Sequence, residues 1–91
     1  MALVKLFGNL RQIAGKSSLS VDGNSIAELL AAIQLQNEPL ISAIMDQAGL
    51  RSHYKIMING LDISLLDGFA THVHPGDIVA IFPPIAGGSF S

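Results

Sequence analysis

Two adjacent glycines, Gly87 and Gly88, are the residues whose type and position best suit a chemical role. They follow Pro83 and Pro84, which in turn follow an apolar run at residues 78–81 that is typical of a buried strand. Because proline has no backbone N–H, the two prolines cannot continue that strand inside a sheet and favour a stiff, extended exit. Two residues without side chains then make the segment thin enough to enter another protein's active site. The alternative is a frayed chain end.

The other side chains predict neither an enzyme nor a metal site. His72 and His74 would share one face of a strand, as metal ligands sometimes do, but no third ligand is evident, and we expect two polar loop residues. The chain has no cysteine, which excludes disulfides, thiolate ligands and thiol catalysis. No glycine-rich phosphate loop follows a strand. We therefore expect no bound cofactor, and chemistry that partner enzymes carry out on this protein.

Composition narrows the class of partner. The 91 residues suffice for one domain, and a net charge of −2 without a basic cluster argues against nucleic acid. Only 13% of residues are charged while 49% are hydrophobic, which predicts an exposed apolar patch for a protein partner. No apolar run has membrane-spanning length and no signal-peptide pattern is present, so we expect a cytoplasmic protein without a membrane partner.

Alternation predicts a first strand at residues 2–7, whose odd-numbered side chains share one face. Lys5 marks that face as the one nearer solvent. Phe7 on the same face is then either an exposed aromatic or packed under a loop, and both interpretations are open. A helical turn at residues 10–14 and a second strand at residues 17–21 complete a hairpin with a long connection.

Two helices and a second hairpin are expected next. Ser25 and Glu28 match a capping box, and the apolar residues that follow have helical spacing; they are Ile26, Leu29, Leu30 and Ile33. A shorter helix is expected over residues 40–45, ended by Gly49. Asn59-Gly60 predicts a tight turn between a strand at residues 54–58 and a return strand at residues 61–64. With a last strand at residues 78–82, the order indicates an α+β fold, a mixed sheet with helix on one face.

Four segments together resemble the MoaD/ThiS family of ubiquitin-like sulfur carriers, and they are most similar to its MoaD branch, the small subunit of molybdopterin synthase. The segments are Val4-Lys5-Leu6-Phe7 with Leu10-Arg11, the helix from Ser25, Ile58-Asn59-Gly60, and residues 74–88. The match covers nearly the whole chain, and residues 76–88 are its most specific part. The resemblance implies a β-grasp fold, with four to five strands in a domain over residues 1–86 and a flexible tail over residues 87–91.

The resemblance also implies a mechanism centred on Gly88. In such carriers an adenylating enzyme of the MoeB/ThiF type uses ATP to activate the carboxylate of the final glycine, and sulfur from a persulfide then displaces AMP. The resulting thiocarboxylate donates its sulfur inside a synthase, here implied to have a large subunit of the MoaE type and molybdopterin as its product. We expect partner binding at Phe7, Phe82, Pro83 and Pro84.

The chain departs from the family pattern after Gly88, where Ser89, Phe90 and Ser91 follow. A Gly88 carbonyl in a peptide bond has no carboxylate to adenylate, so a processing peptidase would have to remove these residues first. Two alternatives stay open. One is a ubiquitin-like modifier joined through Gly88 to a lysine of a target protein. The other is an interaction module whose tail never reacts. The sequence does not identify the sulfur acceptor, whether a pterin, a thiazole or another metabolite.

Overall fold

A mixed five-stranded sheet with helices on one face forms the frame of the computed structural model, which describes residues 1–84. Its strands are β1 (Ala2–Leu6), β2 (Ser18–Val21), β5 (Lys55–Ile58), β6 (Leu61–Asp62) and β7 (Ile78–Phe82). The short strands β3 (Met45–Asp46) and β4 (Gly49–Leu50) form a separate two-stranded sheet. The helices are α1 (Leu10–Ala14), α2 (Ile26–Gln36) and α3 (Glu38–Ile44), and two short 3-10 turns span Ile63–Leu65 and Gly68–Ala70. The sheet order is β2-β1-β7-β5-β6, which confirms the predicted α+β, β-grasp class.

The first and last strands lie side by side at the centre of the sheet. β1 pairs with β2 in antiparallel fashion and with β7 in parallel, and β7 pairs with β5 in antiparallel fashion. Alternate residues of β1 and β7 point toward the helices, and Val4, Leu6 and Ile81 there are fully buried. The register predicted for β1 is therefore confirmed.

The helices cover one face of the sheet and share its core. Ser25 begins α2 as predicted, since its Oγ accepts the backbone N–H of Glu28 at 3.2 Å. The Glu28 carboxylate accepts the N–H of Asn24 at 2.8 Å, one residue earlier than in the usual capping box. The fully buried side chains from these helices are Leu10, Ile26, Leu29, Ile33, Leu40 and Ile44. Among residues 1–84, no helix is long and apolar enough to cross a bilayer.

Two local predictions were wrong. The shorter helix predicted over residues 40–45 is α3, which begins earlier, at Glu38, and ends at Ile44. It ends there because Met45 adopts an extended conformation and pairs with Leu50 in a small hairpin of β3 and β4. The return strand after the Asn59-Gly60 turn covers only Leu61–Asp62, since the Asp62 carboxylate accepts the N–H of Ser64 at 2.9 Å and starts a 3-10 turn. Both departures come from local capping geometry that hydrophobic alternation does not register.

Asn59 and Asp77 join the turn after β5 to the start of β7. Asn59 Nδ2 donates to Asp77 Oδ1 at 3.1 Å, and Asn59 Oδ1 accepts the N–H of Ile78 at 3.0 Å. Asp77 Oδ2 accepts the N–H of His74 at 2.8 Å. This last hydrogen bond is the main reason that the pKa of Asp77 lies below its ordinary value, and the Asn59 amide lowers it further. The network sets where β7 begins.

Asp77→Asn should therefore destabilise the fold at neutral pH, because one amide oxygen cannot accept both hydrogen bonds. A carboxyl whose folded pKa is depressed adds stability above its unfolded pKa, and that stability is lost as pH falls through the folded value. The difference in unfolding free energy between wild type and variant should shrink below about pH 4. Urea unfolding at a series of pH values measures it, with Asp67→Asn, at an exposed turn position, as the control of equal charge change. A difference that does not change with pH would contradict this role of the carboxylate.

Candidate functional site

The sheet edge where β1 and β7 both end is the site from which the predicted reactive tail departs. Leu6 pairs with Ile81 in the parallel ladder. The next residue of each chain segment is a phenylalanine: Phe7 follows β1, and Phe82 is the last residue of β7. The rings of Phe7 and Phe82 stack, with centroids 4.4 Å apart and planes inclined by 13°. A stacked pair of this kind stabilises by about 0.5–1.5 kcal/mol beyond the area it buries. The contact therefore fastens the last residue of β7 to the residue that follows β1.

This stack answers the question that the sequence left open about Phe7. Phe7 is half-buried, on the side of the sheet away from the helices, and its observed aromatic partner is Phe82, which is also half-buried. The two aromatic residues predicted for partner binding are thus brought together by the fold. Because part of each ring stays accessible, the pair can still contact another protein.

Arg11 on α1 covers the Phe7 ring. Its guanidinium carbon lies 5.4 Å from the ring centroid, within the range of a cation–π contact. Its Nε–H also donates to the carbonyl of Leu6 at 2.9 Å, which restrains the side chain in this position. Arg11 was part of the sequence resemblance, but sequence reasoning assigned it no role. The only signal was its spacing of four residues from Phe7.

Gly8 lies directly against Pro83, the residue with which the chain leaves β7. A Cβ atom placed on Gly8 would be 2.8 Å from Cγ of Pro83 and 3.5 Å from its Cδ, and Gly8 has a φ of +60°. Pro83 is half-buried and Pro84 is exposed. The loop after β1 and the chain leaving β7 are therefore in contact through a residue that has no side chain. Sequence reasoning did not single out Gly8.

The side of the sheet without helices is called here the open sheet face. Its side chains are Leu3, Lys5, Phe7, Lys55, Met57, Ile78, Ala80 and Phe82. Ile78 is 41% exposed, which is high for isoleucine on a central strand. The face is therefore an accessible apolar surface that continues from the Phe7–Phe82 stack, as the composition predicted.

Cations surround the aromatic stack. Lys55 pairs with Phe82 across the β5–β7 ladder, Lys5 precedes Phe7 on the same face of β1, and Arg11 covers Phe7. These are three of the chain's five lysines and arginines, although the whole chain carries a net charge of −2. Lys55 Nζ also lies 3.6 Å from the carboxylate of Asp62. The surface around the end of β7 is thus more positive than the rest of the molecule and would suit an apolar partner surface with acidic side chains.

Other groups considered from sequence form no site within residues 1–84. The His72 and His74 rings are 5.0 Å apart, and His74 Nδ1 is 3.7 Å from Asp77 Oδ2, but no cluster of three or more histidine, cysteine or acidic side chains able to hold a metal occurs in this part of the chain.

A cleft of about 580 Å³ lies between the chain start and the turn before α2, at the opposite end of β1 from Phe7. Gly87 and Gly88 lie outside the described residues.

Comparison with known proteins agrees with this architecture. Small archaeal modifier protein 3 of Haloferax volcanii is 28% identical over 88 residues, which cover 93% of this chain and 96% of that protein. Sulfur carrier protein CysO of Mycobacterium tuberculosis is 27% identical over 77 residues, covering 81% of this chain and 83% of that protein. The solution structure of small archaeal modifier protein 1 from Methanosarcina acetivorans has a TM-score of 0.87 and 31% identity, covering 96% of this chain and 95% of that one.

These relatives confirm the resemblance to ubiquitin-like carriers, while the narrower MoaD branch stays a prediction. The family model described as ThiS family matches residues 4–88, which include most of β1, both stacked phenylalanines, and Gly87 and Gly88. Since that match spans nearly the whole chain, this protein belongs to the ThiS family, within the superfamily of ubiquitin-like sulfur carriers and modifiers.

Proposed function

We propose that this protein is a sulfur carrier whose Gly88, once residues 89–91 have been removed, is converted to a thiocarboxylate. The observation that carries the proposal is the parallel pairing of β1 with β7. It brings Pro83 and Pro84, which lead toward the tail, to a sheet edge beside an accessible aromatic pair, in a chain that belongs to the ThiS family. A partner that binds the open sheet face would receive the tail next to its own docking surface.

The chemistry requires groups that partners must supply. A carboxylate oxygen of Gly88 attacks the α-phosphate of ATP, pyrophosphate leaves, and an acyl-adenylate forms. A persulfide sulfur then attacks the Gly88 carbonyl and AMP leaves. A second thiol then attacks the donor sulfur of the resulting acyl disulfide, which forms a disulfide between the two partner thiols and leaves the thiocarboxylate on Gly88. Because this chain has no cysteine, both the persulfide and the second thiol belong to partner proteins. The protein thus acts as the acyl substrate of an adenylating enzyme of the MoeB/ThiF type.

For the acceptor, the sequence resemblance favours a pterin precursor in a synthase with a MoaE-type large subunit, leading to molybdopterin. The three relatives compared above have names that favour no particular acceptor. What supports a receiving synthase in general is the open sheet face, because an apolar surface with surrounding cations suits a second protein rather than a free metabolite.

A second candidate function is that of a protein modifier joined through Gly88 to a lysine of a target. The observation favouring it is that two of the relatives compared above are named small archaeal modifier proteins. Both functions share the acyl-adenylate and differ in the nucleophile that displaces AMP, which is sulfur for the carrier and a lysine amine for the modifier. The domain and its docking face would serve either function.

Mass spectrometry of the protein from its native host should separate these functions. We expect a population that ends at Gly88 with the mass increase of replacing one oxygen by sulfur. Branched peptides in which Gly88 is joined to a lysine of another protein would favour the modifier. If every molecule retains Ser89 to Ser91 under all growth conditions, the tail does not react and the protein is an interaction module.

Processing gives a second expected outcome. A chain ending at Gly88 should support exchange of pyrophosphate into ATP by the cognate adenylating enzyme, whereas a chain continuing through Ser91 should not. The Gly88 carbonyl in that longer chain is an amide, and misplacing a reacting group by even about 1 Å can cost on the order of a hundredfold in rate. The assay needs peptidase-free components, with the carrier's mass checked before and after. If both chains support equal exchange, and the chain that continues through Ser91 keeps its full mass, Gly88 is excluded as the activated residue.

Docking through the aromatic stack is tested by Phe82→Ala. As an interface anchor, Phe82 should contribute about 2 kcal/mol or more, or roughly thirtyfold in affinity for the adenylating enzyme. Calorimetric titration measures it, after NMR has verified the fold. Leu35→Ala is the control, since Leu35 is 91% exposed on α2, which lies on the other side of the sheet. An unchanged affinity for Phe82→Ala with the fold intact would remove Phe82 from the docking surface.

A further inference from the structure

We propose that Gly8 is a positioning residue for the tail: because it has no side chain, Pro83 can lie against the loop after β1, and this contact sets the direction in which the chain leaves β7. The proposal rests on the proposed function only in its consequence for the reaction. The contact itself is within the described residues, where a Cβ on Gly8 would lie 2.8 Å from Pro83 Cγ.

The Gly8 side of the contact cannot easily move. The N–H of Leu10 donates to the Phe7 carbonyl at 3.2 Å, and the N–H of Arg11 donates to the Gly8 carbonyl at 3.2 Å. Leu10 itself is fully buried in the core. Just before this loop, the N–H of Leu6 donates to the Ser17 carbonyl at 2.9 Å. Hydrogen bonds and core packing therefore restrain the backbone on both sides of Gly8.

The Pro83 side is less restrained. Proline has no N–H with which to continue the ladder, so the chain before it is held at Phe82, by the ladder pair with Lys55 and the stack on Phe7. A methyl group on Gly8 would therefore displace Pro83 rather than the loop. The reacting Gly88 lies five residues further along the chain, so the orientation of Pro83 determines the direction in which that segment leaves the domain.

Backbone strain has to be separated from this contact, because Gly8 has a φ of +60°, where a residue with a side chain is strained in any surroundings. The chain offers a matched control in Gly68. Its φ is +58°, and a Cβ placed there would meet nothing within 4 Å. Gly68→Ala therefore introduces the same kind of strain without a contact to the tail.

The test uses the chain ending at Gly88 and a double-mutant cycle of Gly8→Ala and Pro83→Ala, since Pro83→Ala removes the two ring atoms that the methyl would meet. Pyrophosphate exchange gives KM and kcat for each carrier. Gly8→Ala should raise KM by about tenfold and leave kcat within about twofold, because fewer molecules present the tail in the direction that binds. In the Pro83→Ala background the same substitution should raise KM by less than about threefold.

Three outcomes would overturn the proposal. One is an unchanged KM for Gly8→Ala. Another is an equal rise for Gly68→Ala, which would assign the effect to backbone strain. The third is an undiminished penalty in the Pro83→Ala background, which would mean that the methyl meets the partner directly.

A second measurement separates failure of this proposal from failure of the proposed function. In the full-length chain, residual dipolar couplings of the Cα–Hα bonds of Pro83 and Pro84 report their orientation relative to the sheet. We expect Gly8→Ala to change them and Gly68→Ala to leave them as in the wild type. If the wild-type chain ending at Gly88 is not adenylated at all, the sulfur-carrier function fails, and these couplings alone decide whether Gly8 directs the tail. Couplings unchanged by Gly8→Ala would then refute it.

Discussion

The parallel pairing of the first strand with the last is the interaction on which the rest of the structure depends. A parallel pair cannot be closed by a tight turn, so everything between β1 and β7 is the connection that brings them together. Leu6 and Ile81 form the last pair of this ladder and are both fully buried. Because parallel strands end at the same edge, the loop after β1 becomes the surface on which the departing chain lies. The surroundings of Pro83 are thus a consequence of strand direction.

The two ends of β7 are held by different means. At its start, backbone and amide groups of His74 and Asn59 converge on one carboxylate, that of Asp77, so the strand begins at a defined residue. At its end, past the ladder pairs that Ile81 and Phe82 make, the observed contacts are an aromatic stack and a glycine–proline contact. This change has a physical reason, since the prolines that release the chain from the sheet also remove the donors that a ladder would need. Packing of Gly8 against Pro83 therefore helps to direct the exit.

The open sheet face is the surface that we propose as the docking site for a protein partner. A domain of this size buries a limited share of its surface, so apolar side chains such as Ile78 and Phe82 stay accessible on a central strand. Three cations lie around the Phe7–Phe82 stack in an otherwise acidic protein, and these favour encounter with an acidic surface without burying a charge in the core. Apolar contact would then supply affinity and the cations orientation.

The sequence by itself determined the elements whose signals are local. The alternation in β1, the Ser25 cap of α2 and the turn at Asn59 and Gly60, where both φ angles are positive, were all predicted correctly, because each depends on a few consecutive residues. The family pattern at residues 76–88 added the fold and the carrier or modifier class. Only the tertiary structure brought Phe7 to Phe82 and Gly8 to Pro83, since these pairs are some 75 residues apart in sequence and no periodicity links them. The same limit explains why the sequence predicted no role for Gly8 and Arg11. A glycine in a turn and an exposed arginine carry no functional signal until the fold places a distant strand against them.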